Sequence, residues 1–162
     1  MKKIHDDFLK PPQQQLNNLI KYYQAGRYVD AEKLSLSITK EFPKHPFAWK
    51  VLGAILKQKG RISESLIACQ KSVQLDPQDA KAHNNLAIIL LLQSRLEEAE
   101  TCYKQAIVLY PDYAKAHRNL STLVKYKLGN PQINRISFGA RIRKSYQYQS
   151  YRLCPRLHRE FA

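Results

Sequence analysis

The sequence writes one stretch twice. Residues 75–87, LDPQDAKAHNNLA, and residues 109–121, LYPDYAKAHRNLS, align without a gap, each residue 34 positions after its counterpart. A fixed period of this length constrains the fold more tightly than composition can. Each period is one small unit that cannot bury its own apolar face, so copies must stack and cover one another. The period divides the chain into units 12–45, 46–79 and 80–113, with a partial fourth at 114–128.

Two breaks recur in each complete unit. Pro43, Pro77 and Pro111 stand near the unit ends, again 34 residues apart, and proline stops a helix because its ring fixes φ and removes an N–H. Gly26-Arg27, Gly60-Arg61 and Ser94-Arg95 fall between two segments with helical apolar spacing. In the second unit Trp49, Leu52, Gly53 and Leu56 make one stripe, and Ile62, Leu66, Cys69 and Val73 make another. Each unit is therefore expected to be two short helices. Small residues recur where such helices would touch: Gly53, Ala87 and Ser121 in the first helices, Ala31, Ser65 and Ala99 in the second.

This pattern resembles the tetratricopeptide repeat, a 34-residue unit reading W-x2-L-G-x2-Y…A-x3-F…P. Trp49, Leu52, Gly53 and Pro77 match it directly. Leu86, Ala99, Tyr103 and Pro111 follow it in the third unit, with His83 in place of Trp and Ala87 in place of Gly. The first unit keeps Tyr22, Ala31 and Pro43 but has Gln15 where Trp belongs. The resemblance covers about residues 12–128. It implies an all-α, right-handed superhelical solenoid, with first helices lining a concave groove and second helices outside. It also makes Trp49 a core residue, gives His83 and His117 a packing role, and leaves Cys69 and Cys102 as small core or near-core residues.

In that family the groove holds a peptide through positions 2, 5, 6, 9, 12 and 13 of each first helix. Over units two to four these positions carry Lys50, Lys57, Lys81, Lys115, Arg118 and Lys125, and no carboxylate. Asn17, Asn85 and Asn119 stand at position 6, where the similar repeats of O-linked N-acetylglucosamine transferases carry an asparagine ladder that holds peptide backbone; Val51 interrupts it. An amide suits this work because it donates and accepts at once. A second likeness is the carboxylate clamp of tetratricopeptide co-chaperones, which Lys50, Asn85 and Lys115 match while Ala54 and Asn119 depart from it. The resemblance thus implies a peptide-binding groove of Asn17, Lys50, Lys81, Asn85, Lys115, Arg118 and Asn119, suited to an acidic protein segment. The competing reading makes these amides and lysines an ordinary solvated face.

Charge and the ends of the chain widen the choice. Lys and Arg number 27 against 13 Asp and Glu, a net charge of +14, which favours acidic partners. Residues 129–162 form a separate basic tail, where Arg135, Arg141, Arg143, Lys144, Arg152, Arg156 and Arg159 face Glu160 alone. The tail reads as a capping helix opened by Asn130 and Pro131, as a basic arm for nucleic acid or an anionic membrane, or as the product of a shifted reading frame. Residues 1–11 are a short lead without an apolar signal segment, and no run is long enough to span a membrane, so the cytoplasm is expected. The three cysteines suggest no disulfide framework. Cys154 and His158 alone are too few to bind zinc, and neither metal nor cofactor is expected.

No glycine-rich phosphate loop, GxSxG or HExxH occurs. The leading expectation is therefore a non-catalytic protein-interaction scaffold. Two others stand beside it: the substrate-recruiting arm of a glycosyltransferase- or sulfotransferase-type enzyme, and nucleic-acid binding through the tail.

Overall fold

The computed structural model of the protein describes residues 10–129, and every regular element among them is an α-helix. In chain order these are α1 (Gln13–Gln24), α2 (Tyr28–Glu41), α3 (Pro46–Gln58), α4 (Ile62–Leu75), α5 (Ala80–Leu92), α6 (Leu96–Leu109) and α7 (Ala114–Gly129). Helices α3, α5 and α7 thus begin 34 residues apart. The expectations for the lead and the tail, with Cys154 and His158, lie outside the described residues.

The Gly-Arg and Ser-Arg breaks are helix terminators of one design. At each, the arginine N–H reaches back to a carbonyl five residues earlier: Arg27 to Tyr22, Arg61 to Leu56 and Arg95 to Leu90, each at 2.9 Å. The residue before the arginine turns left-handed, with φ of 71° at Gly26, 75° at Gly60 and 63° at Ser94. This is the Schellman closure, which satisfies the last carbonyls of α1, α3 and α5. The same arginines then pair across the first turn of the next helix, Arg27 with Asp30, Arg61 with Glu64 and Arg95 with Glu98.

Within a unit the two helices approach closely through the small residues. A Cβ on Gly53 would meet the Cys69 Sγ at 2.6 Å, and the Ser65 hydroxyl donates to the Gly53 carbonyl at 2.7 Å. Ala31, Ala87 and Ala99 are fully buried. Ser121 is exposed. First helices also touch one another, α1 with α3 and α3 with α5, so they form a continuous inner layer. The largest apolar cluster is centred on α5, whose Leu86 to Leu92 are all buried against residues of α4, α6 and α7.

Three of the four first helices, α3, α5 and α7, are each pinned to the loop before them by one N–H. Trp49 Nε1 donates to the Pro43 carbonyl at 2.8 Å. His83 Nε2 and His117 Nε2 lie 3.0 Å and 2.6 Å from the carbonyls of Pro77 and Pro111. A carbonyl only accepts, so both imidazoles carry their proton on Nε2 and stand in for the indole. Trp49 is only half-buried, which corrects its reading as core: it rests on Leu52, Leu56 and Ala68 and leaves an open side lined by Ile67 and Gln70.

Adjacent units are also joined by charge. Glu32 on α2 accepts from Lys59 and Arg61, at the end of α3 and the start of α4. Two steps along, Glu100 on α6 accepts from Lys127 on α7 at 2.6 Å and from Lys104 at 2.8 Å. Glu32–Lys59 and Glu100–Lys127 occupy the same positions of the repeat. At the junction between them those positions hold Leu66 and Gln93, so this charge pair is missing there.

Three outcomes follow from this packing. Gly60→Ala meets no neighbour, so its cost is the left-handed backbone alone, about 1 kcal/mol in urea unfolding. His83→Phe keeps a ring but leaves the Pro77 carbonyl without its donor and is expected to cost about 1 kcal/mol, whereas His83→Trp keeps the N–H and the stability. The third concerns pH. The Lys59 hydrogen bond holds the Glu32 carboxyl below its ordinary 4.5, and the Lys104 and Lys127 hydrogen bonds do the same for Glu100. A carboxyl depressed by folding contributes stability that is present above its unfolded pKa and lost as pH falls through its folded value. The unfolding midpoint should therefore hold down to about pH 5 and drop below about pH 4.5, less steeply in Glu32→Gln and Glu100→Gln.

Candidate peptide-binding groove

The inner layer is built from first helices, so its character depends on which side chains α1, α3, α5 and α7 turn inward and what already holds them. Lys50, on the first turns of α3, is engaged. Its ammonium forms an ion pair with the Asp79 carboxylate and lies 5.3 Å from the centre of the Phe47 ring. The two charged side chains are 20% and 16% exposed. Asp79 is the N-cap of α5, and its Oδ1 accepts from the Lys81 and Ala82 backbone N–H groups at 2.8 Å and 3.2 Å. Burial pushes the Asp79 carboxyl up, but the Lys50 hydrogen bond and charge, with the two backbone donors, carry it below the usual range. The sequence expectation of cations without a carboxylate is therefore corrected at this point, because Asp79 reaches Lys50 from 29 residues away.

The other cations stand differently. Lys81, Lys115 and Arg118 are exposed, and none forms an ion pair with a described residue. Lys57, near the end of α3, is mostly withdrawn from solvent. Burial lowers its pKa, the Cys69 thiol opposes this, and the Lys115 charge adds to it.

The three asparagines occupy three settings. Asn17 is exposed and its Oδ1 accepts from Gln13 Nε2 at 3.0 Å, within α1. Asn85 is half-buried on α5, with no hydrogen bond to another described side chain. Asn119 on α7 donates from Nδ2 to the Oδ1 of Asn84 at 3.1 Å, and Asn84 is itself only 3% exposed. The asparagine row is thus bonded locally at one end and across α5 and α7 at the other, while Val51 belongs to the apolar cluster under α1 and α2. Asn84, at position 5 of the third unit's first helix, stood among the groove positions only as one of many, and Asp79 was missed by reading positions unit by unit. The N-cap signature of Asp79 before α5 was visible, but its reach to Lys50 was not.

Among the described residues no group of three or more His, Cys, Asp or Glu side chains could hold a metal, and no helix is long and apolar enough to cross a membrane. Cys69 is buried and its thiol is pushed up to about 11 by desolvation; Cys102 is half-buried and also raised by burial. Neither thiol is poised as a nucleophile.

Comparison with known proteins gives the family. The description tetratricopeptide repeat matches residues 80–113 with one family model and residues 20–80 with another. No curated protein matches the sequence. Among solved structures, the first tetratricopeptide domain of Spaghetti (RPAP3), bound to the HSP90 peptide SRMEEVD, superimposes with a TM-score of 0.67 at 19% identity, over 72% of this chain and 94% of that one. The Sgt2 domain from Aspergillus fumigatus gives 0.69 at 16% identity, over 76% and 84%. A mutant O-GlcNAc transferase from Thermobaculum terrenum gives 0.70 at 21% identity; the match takes in 94% of this chain but only 27% of the enzyme. At these identities the structures share a fold. The two family models together span more than half of the sequence, and the chain belongs to the tetratricopeptide repeat family.

Proposed function

We propose that the protein is a non-catalytic scaffold that holds a segment of an acidic partner protein against the inner face of its first helices. The observation that carries this reading is the set of exposed cations on α5 and α7. Lys81, Lys115 and Arg118 meet no acid among the described residues, and Asn85 and Asn119 stand on the same two helices. Charged donors beside side-chain amides suit a chain that presents carboxylates and an extended backbone. Support comes also from the similar domains of RPAP3, whose peptides SRMEEVD and SGPTIEEVD are acidic at their C-terminal ends. Lys50 takes second place here, being already paired. The reading places the acid-binding surface towards the third and fourth units, with the protein in the cytoplasm.

A fluorescein-labelled peptide Ser-Arg-Met-Glu-Glu-Val-Asp, titrated with the full chain and followed by anisotropy, tests this. Saturable binding is expected, weakened by about tenfold or more in a Lys81→Glu, Lys115→Glu, Arg118→Glu variant. Binding that ignores all three reversals, or no saturable binding, overturns the proposal.

A further inference from the structure

The pair between Lys50 and Asp79 differs in kind from the other ion pairs of the molecule. Framework pairs recur with the period: arginine to acid at the start of α2, α4 and α6, and glutamate to lysine between the first two and last two units. Lys50–Asp79 occurs once. Its counterparts along the repeat are Leu16 with His45 in the first unit and Asn84 with Tyr113 in the third, and neither is a charge pair. An interaction needed to stack units would be expected in more than one of them.

Its surroundings are those of an occupied carboxylate site. Lys50 sits between an aromatic ring, Phe47, and a carboxylate that is largely withdrawn from water. The carboxylate is held from behind by two backbone N–H groups at the start of α5, where the helix dipole favours negative charge. One oxygen of Asp79 therefore serves the cap and the other is presented to the lysine.

Resting on the groove reading above, we propose that Asp79 is a built-in competitor: its carboxylate occupies the place at Lys50 that a carboxylate of the bound peptide would take. An internal group is present at high effective concentration, so an incoming acid gains at Lys50 only what is left after Asp79 is displaced. The protein thus reads acidity through Lys81, Lys115 and Arg118, and keeps the cation of the second unit in reserve. Asp79 sets specificity by weakening the response to peptides whose acids reach that far.

The substitution that separates this from a structural role is Asp79→Asn. Asparagine caps a helix about as well as aspartate, so α5 keeps its start while Lys50 loses its counter-charge. The full chain, Asp79→Asn, Lys50→Ala and the double variant are compared by anisotropy with Ser-Arg-Met-Glu-Glu-Val-Asp and with its amidated analogue carrying Gln and Asn for the acids. Acetylation of Lys50 by an amine-reactive ester, read by mass spectrometry, reports its exposure independently. Asp79→Asn is expected to raise Lys50 acetylation and to tighten the acidic peptide by about three- to tenfold, without tightening the neutral one. Lys50→Ala is expected to abolish the gain in the double variant. Acetylation that rises while affinity stays unchanged overturns the proposal and leaves the groove reading standing, as does a gain that survives Lys50→Ala. A peptide that binds none of the four proteins removes the groove reading and this proposal with it.

Discussion

From Leu86 to Leu92 helix α5 is buried on every side, and much of the structure follows from having to enclose it. Nine of its thirteen residues are buried, whereas a surface helix would bury one stripe. Helices α4, α6 and α7 all bring apolar side chains to it, and they can do so only if each helix pair is thin. Gly53 against Cys69 and Ser65, and alanine at the equivalent crossings, make them thin. The central unit is the core, and its neighbours are its cover.

Around that core, what repeats and what does not repeat separate cleanly. The Schellman turn with its arginine clamp appears three times at 34-residue intervals, and so does the N–H donated to a proline carbonyl. These hold helices at fixed angles and are indifferent to any ligand. The Lys50–Asp79 pair and the Asn119–Asn84 bond appear once each, both on the inner layer of first helices. In a periodic molecule the departures from period are where individual character resides.

Much of the architecture was legible in the sequence because its signals are local. A proline, a glycine or serine before an arginine, and a small residue at a crossing act within a few residues of themselves, and the period multiplies each into a pattern. Position alone likewise gave His83 and His117 the role of Trp49, although the acceptor, a proline carbonyl six residues upstream, emerged only from coordinates. The inner surface was less legible. Asp79 reads as a helix cap and Lys50 as a free cation until the start of α5 is laid against α3. Asn84 was one of many candidate groove positions until its bond to Asn119, 35 residues on, showed it buried. The charge joins were within reach: setting the second helix of one unit beside the first helix of the next aligns Glu32 with Lys59 and Glu100 with Lys127.

Those joins give the array two different kinds of seam. The outer junctions carry partly exposed ion pairs, whose attraction is screened as ionic strength rises. The middle junction has Leu66 and Gln93 in their place, and its ion pair, Lys50–Asp79, is mostly shielded from water, where screening reaches it less. Rising ionic strength therefore loosens the outer junctions before the middle one, and the stack frays from its ends inward.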